Sequence, residues 1–131
     1  MPSIFSRIVA GEIPCHKIAE SEDYFAFLDI NPRAEGHTLV IPKQETDYIF
    51  DLEGDHYKGL WAFAQRVAKA LEQVVPCQRI GVAVIGLEVP HVHIHLIPIN
   101  RVGDINFERP PLQFSQGEFA ATAAKVAAAF Q

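Results

Sequence analysis

Residues 91–99 read His-Val-His-Ile-His-Leu-Ile-Pro-Ile. Read as a strand, this run puts His91, His93 and His95 on one face and Val92, Ile94 and Leu96 on the other, because successive side chains of an extended chain point to opposite sides. The apolar row belongs against a core. The other row presents three imidazoles in line, about 7 Å apart. A lone histidine in a strand is most often a hydrogen-bonded structural residue. Three in strict alternation are poor packing material and point to a site.

Upstream, Arg79–Ile85 (Arg-Ile-Gly-Val-Ala-Val-Ile) is a second strand-like run, separated from the histidines by Gly86 and Pro90. Before it, Tyr57, Leu60, Trp61, Ala64, Val67, Ala68, Leu71 and Val75 recur at three- and four-residue spacing, which predicts a long amphipathic helix stopped by Pro76. Lys58, Gln65, Lys69, Glu72 and Gln73 fall on its wet face. His37–Pro42 predicts a β-branched, buried strand. Two more are expected over Lys17–Ser21 and Tyr24–Leu28, joined by the polar turn Glu22-Asp23. The stretch from Ser3 predicts a short helical turn ending at Gly11 and Pro14. Ser115 and Glu118 stand at capping-box spacing before an alanine-rich C-terminal helix. Strands outnumber helices, and hairpin-length connections favour antiparallel pairing. The expected class is α+β: an antiparallel β-sheet of about five strands, one long helix covering it and a C-terminal helix.

The 131 residues are expected to form a single domain, 1–131, large enough for one real core. Hydrophobic residues at 49% and charged residues at 21% argue against disorder. Eleven Lys and Arg against sixteen Asp and Glu leave a formal charge of −5, which gives no electrostatic footing on a nucleic-acid backbone. A small phosphate ligand held by local donors stays open. No apolar run approaches the about 18 residues that span a bilayer, so no membrane partner is expected. The start lacks the apolar core of a secretory peptide. The two cysteines, Cys15 and Cys77, form no CxxC and read as reduced structural thiols, so the expected location is cytoplasmic.

The aligned histidines suit two chemistries. Neutral imidazoles at alternate strand positions can converge on a metal ion, with the third histidine or His37 completing the ligand set. Imidazole is also a good nucleophile at neutral pH. It carries no charge to repel a phosphate and can form a covalent phospho-histidine, while flanking rings orient it or donate a proton. Spacing alone leaves these level.

The segments Ile4–Pro14, Leu28–Lys43 and Gly-Leu-Glu-Val-Pro-His-Val-His-Ile-His-Leu-Ile-Pro-Ile (86–99), in that order, resemble the histidine triad (HIT) family, in its Hint-like branch. The resemblance runs from about Ile4 to Arg101. It implies a nucleotide-binding α+β fold, commonly a homodimer, that cleaves a nucleoside monophosphate, with AMP the expected one, from a phosphoramidate or phosphoanhydride leaving group. No metal or cofactor is implied. By the resemblance His93 is the nucleophile, His91 and His95 hold the ring and contact the phosphate, and His37 is the family's fourth histidine. Asp29 matches the acid that grips the ribose hydroxyls. Phe5, Phe27 and Ile30 match apolar residues around the base, with Glu88 and Val89 also beside the nucleotide. The expected partner is a purine mononucleotide or nucleotide conjugate.

The chain departs from the family ahead of the triad. Where many members carry Gln followed by Ser or Thr, this one has Leu87 and Glu88, and Pro90 lacks a backbone donor. Glu88 either points to solvent or acts on the leaving group. The zinc-binding cysteine pair of some relatives is replaced by Ser3 and Ser6, and Lys43 reads as a solvated strand-end charge. Three functions remain: an enzyme acting through His93, a nucleotide-binding sensor or scaffold whose chemistry has faded, and a metallohydrolase.

Overall fold

Alternating residues bury both faces of the central strands, so the sheet is sandwiched. The structure, a computed structural model, describes residues 2–131. The strands are β1 (Lys17–Glu20), β2 (Tyr24–Leu28), β3 (Thr38–Pro42), β4 (Arg79–Ala83) and β5 (Ile94–Ile99), and the helices are α1 (Ile4–Val9), α2 (Gly54–Val74) and α3 (Gln116–Ala129). The sheet runs β1-β2-β3-β5-β4 and every pairing is antiparallel. Short 3-10 turns at Ile49–Asp51 and Val102–Ile105 complete the elements, and neither was legible in the sequence pattern. Among the described residues no helix is long and apolar enough to cross a membrane.

On one face, α2 and α3 press Leu60, Phe63, Val67, Leu71, Phe119 and Val126 onto Ala26, Leu28, Val40, Ile94 and Leu96. Full burial of each large aliphatic side chain is worth about 1.5–3 kcal/mol, so this layer carries much of the stability. The opposite face is smaller and aromatic: Phe25, Phe27, Leu39 and Ile41 pack beneath Phe5 of α1. Ser3 caps α1 by accepting the Ser6 amide, and the Ser115–Glu118 capping box opens α3.

Several sequence bounds shift. The strand expected at His91–Ile99 begins at Ile94, because the Val92 amide turns to the Thr46 carbonyl and His91 and His93 make local bonds instead of ladder bonds. The expected Lys17–Ser21, His37–Pro42 and Arg79–Ile85 strands lose one or two terminal residues, while α2 starts earlier than the stripe suggested, at Gly54. Lys43 is not a free strand-end charge; its Nζ lies 2.7 Å from Glu20 Oε2, a surface pair that contributes little.

Register carries the site. Phe27 pairs with Leu39, Leu39 with His95, and His95 with Ala83, a single row across the aromatic face. The turn into β3 depends on Gly36, at φ +88°, where an added Cβ would lie 2.9 Å from Val75 Cγ2. Gly36→Ala is therefore expected to lose roughly 2–4 kcal/mol, from left-handed strain plus overpacking, read as the shift in urea midpoint. An unchanged midpoint would show that the turn can relax.

Candidate active site

All three triad rings lie on the Phe5 side of the sheet. Phe5 meets His91 and His93 edge-on, with ring centroids 5.8 Å and 5.0 Å apart, and His93 meets His95 at 4.9 Å. Val92, Ile94 and Leu96 are buried in the opposite core. The alternation thus persists through residues 91–93 although they precede the strand. His37 joins from the start of β3, 5.2 Å from His95.

Hydrogen bonds assign the ring protons. The Arg33 amide donates to His37 Nδ1 at 2.9 Å, so His37 carries its proton on Nε2. That proton is donated to His95 Nδ1, 2.9 Å away, which leaves the His95 proton on Nε2 as a free donor. His93 donates its Nδ1–H to the His91 carbonyl at 2.8 Å, which leaves Nε2 with an exposed lone pair. The arrangement offers an acceptor and a donor side by side: a nucleophile and a group that can hydrogen-bond a phosphate oxygen or a leaving atom.

Burial keeps the supporting rings neutral. It pushes His37 and His95 down to about 3, with repulsion from Arg33 the next cause for His37 and from His37 for His95. Burial also lowers His91, against the opposing pull of the Pro42 carbonyl and Glu45. The contact of His37 Nε2 with Asp29 Oδ2, at 3.5 Å, is therefore between a carboxylate and an uncharged ring.

The His91 ring corrects one expectation. Its Nε2–H donates to the Pro42 carbonyl at 2.8 Å and its Nδ1 accepts the Ser3 hydroxyl at 2.7 Å. With no exposure and no free nitrogen, it cannot also contact a phosphate. It holds His93 through its backbone carbonyl. Only His93 and His95, at 8% and 7% exposure, reach the surface.

The residues expected around a nucleotide separate into two groups. Phe5 and Phe27 touch at 5.6 Å and are almost wholly buried, with Val89 packed against their cluster. They form a wall beside His93. Asp29 is half-buried at the end of β2, its Oδ1 accepting the Asn31 amide, and Ile30 next to it is exposed. Glu88 is exposed, as is Leu87 at 88%.

The structure adds residues that sequence reasoning missed. Phe107 lies edge-on to His95 at 4.7 Å, and the Arg33 guanidinium covers its ring at 5.3 Å. Phe107 is the lone aromatic in the polar stretch 100–111, the one signal that could have marked it. Glu45 accepts the Ser3 amide and the Ser6 hydroxyl at 2.7 Å and 2.6 Å.

Asp29, His37 and His95 offer oxygen and nitrogen atoms within 4.8 Å of one another, a spacing a cation could use. Their donor pattern does not fit one. A ligand must present a lone pair, and His37 Nε2 carries the proton that bonds His95. Ser3 and Ser6 likewise spend their hydroxyls on His91 and Glu45. A cavity of about 370 Å³ is lined by Arg33, Pro98, Asp104 and Arg109 among others and by none of the four histidines.

Comparison with known proteins agrees with this geometry. A family model described as the HIT domain matches residues 10–102. An adenosine 5'-monophosphoramidase of Saccharomyces cerevisiae is 41% identical over 97 residues; the match covers 72% of this chain and 61% of that protein. A crystal structure of a Hit-like protein involved in cell-cycle regulation from Bartonella henselae superposes with a TM-score of 0.85 at 28% identity, covering 98% of this chain and 96% of that one. A zinc-bound histidine triad family protein from Mycobacterium smegmatis superposes with a TM-score of 0.78 at 32% identity, covering 96% and 91%. With its α+β fold, its aligned histidines and a family match over most of its length, this chain belongs to the HIT domain family.

Proposed function

We propose that this protein is a nucleotide hydrolase that releases a nucleoside monophosphate, AMP in the first instance, from a phosphoramidate or phosphoanhydride, through a covalent intermediate on His93. The observation that carries the reading is the pairing of a free Nε2 lone pair on His93 with a free Nε2–H on His95. The likeness to a yeast phosphoramidase supports the substrate class.

In the first step His93 Nε2 bonds to the α-phosphorus as the bond to the leaving nitrogen or oxygen breaks, and the leaving atom takes a proton from solvent. In the second, water bonds to phosphorus and gives up a proton to solvent, the P–Nε2 bond breaks with its electron pair returning to Nε2, and AMP departs. The ring is positively charged while phosphorylated, and the His91 carbonyl at Nδ1–H stabilises that charge. His95 Nε2–H serves a phosphate oxygen or the leaving atom. Asp29 accepts the ribose hydroxyls, and the wall of Phe5, Phe27, Val89 and Ile30 receives the base. Rapid quenching during turnover of adenosine phosphoramidate, followed by mass spectrometry, should find an AMP adduct on His93. An adduct-free chain under burst conditions would sink the covalent route.

The sensor reading draws on the exposure of Leu87 and Glu88, which place no donor over the leaving group. AMP binding without hydrolysis of any phosphoramidate or dinucleotide would favour it. We further propose a homodimer. β4 is an open sheet edge with Val82 half-exposed, and Tyr48 and Phe50 stand exposed nearby in sequence to α2. Sedimentation should give twice the 14.6 kDa chain mass, and a monomer at micromolar concentration would end that proposal. Both cysteines are free, which supports a reducing, cytoplasmic setting.

A further inference from the structure

His91 is the last link of a hydrogen-bonded chain that begins on the protein surface. Glu45, exposed just beyond β3, accepts the backbone N–H of Ser3 at 2.7 Å and the hydroxyl of Ser6 at 2.6 Å through the same oxygen, Oε1. Those two contacts hold the first turn of α1 against the connection between β3 and α2. Ser3 Oγ accepts the Ser6 amide at 3.0 Å, which orients the hydroxyl so that its single proton goes to His91 Nδ1 at 2.7 Å. The His91 ring is thereby committed to the Nε2–H form, which donates to the Pro42 carbonyl at 2.8 Å. The His91 carbonyl in turn receives His93 Nδ1–H. The shorter contacts set the direction of each proton: Ser3 Oγ also lies 3.3 Å from Ser6 Oγ, and Ser6 Oγ 3.5 Å from His91 Nδ1, both longer than the bonds to His91 and Glu45.

This chain matters because residues 91–93 lie outside the sheet. Ladder bonds do not position His93, since β5 begins at Ile94. The peptide that presents the His91 carbonyl is held by its own Val92 amide on the Thr46 carbonyl at 2.7 Å, and residue 91 is held by its amide on the Val89 carbonyl and by its ring at both nitrogens. Loss of the Ser3 hydroxyl leaves a buried ring nitrogen without a donor. The next hydroxyl, Ser6 Oγ, stands 3.5 Å from that nitrogen, so the ring satisfies itself by turning toward Ser6 or by exchanging its proton, and either movement shifts the carbonyl that fixes His93.

We propose that Glu45 and Ser3 are positioning residues: acting through the His91 ring, they hold the His91 carbonyl where it keeps His93 in the Nδ1–H form, with Nε2 free to attack. Glu45 acts as an acceptor at a fixed point and needs no charge for the purpose. The carboxyl is nevertheless held below the usual range by the Ser3 amide and the Ser6 hydroxyl, so it is an acceptor at neutral pH. This proposal rests on the His93 reading for its effect on rate, but the position of the ring proton is measurable without turnover.

The experiment uses the full chain and the variants Glu45→Ala, Ser3→Ala and Glu45→Gln. Histidine ring nitrogen NMR reports the His93 tautomer, and steady-state turnover of adenosine phosphoramidate gives kcat and KM separately. Expected for Glu45→Ala and Ser3→Ala is a mixed His93 tautomer and a kcat about tenfold lower at nearly unchanged KM. Glu45→Gln, which keeps an accepting oxygen, should restore most of both. Because Glu45 is exposed, its variants test the chain without removing a core group, whereas Ser3→Ala also removes a helix cap. A simple loosening of α1 would move KM through Phe5 and lower thermal stability while leaving the His93 signal alone. A His93 resonance that stays wholly Nδ1–H in both alanine variants overturns the proposal, whatever the rate does. So does an altered tautomer with unaltered kcat. Absence of turnover in the wild type would count against the hydrolase reading instead, and the NMR result would still decide the positioning.

Discussion

Replacing His93 with glycine is expected to lower AMP release from adenosine phosphoramidate by a factor of about 10³ or more, with AMP binding still measurable by calorimetry. The size follows from the geometry. His93 is the single imidazole of the four that has an unengaged lone pair near the surface: His91 and His37 spend both nitrogens on protein groups, and His95 presents a proton. No neighbouring ring can substitute for the lost nucleophile without breaking its own bonds. Binding should survive, because Asp29, Phe27 and Val89 do not depend on the His93 ring. Undiminished turnover by the glycine variant would remove His93 from the mechanism. Imidazole added in solution should partly restore the glycine variant if the cavity left behind admits it.

Acid is expected to unfold this protein early. In the unfolded chain His37 and His95 take up protons near 6.5, whereas in the folded chain burial delays uptake to about pH 3. Between those values the unfolded state binds more protons, so stability falls as pH falls, by up to about 1.4 kcal/mol per pH unit for each ring. From pH 6.5 to 4.5 the two rings together remove roughly 4 kcal/mol, a large share of a typical domain's 5–15 kcal/mol. The loss stops growing near pH 3, where the folded rings also charge. Urea midpoints at constant ionic strength should drop steeply over this window, with the drop flattened in His37→Leu. Equal midpoints at pH 7 and pH 5 would show that the rings are not held neutral by burial.

Both effects come from the same arrangement, in which a short row of imidazoles is sealed by aromatic side chains. Phe5 on one flank, against His93, and Phe107 on the other, against His95, shield the hydrogen bonds these rings make from water. Exclusion strengthens those bonds and fixes one tautomer per ring. It also makes every added proton costly.

The amino-acid order alone determined the class, the number and direction of the strands, the long helix and the shared face of the histidines. These follow from local period: two for a strand, three to four for a helix, and neither needs a partner to be read. The family could be recognised because Leu28–Lys43 and residues 86–99 are each a short, continuous run that carries its own pattern. Where β5 begins could not be read, since Val92 gives its amide to Thr46, a residue 46 positions earlier in the chain. Nor could the loss of the His91 ring as a phosphate contact be read, because Ser3 lies 88 residues away. Phe107 and Glu45 were hidden for the same reason: a side chain becomes part of a site through what the fold sets beside it. Tertiary packing, and not local period, assigned a proton to each imidazole and so divided the three alike residues into one with a free lone pair, one that presents a proton and one with both nitrogens engaged.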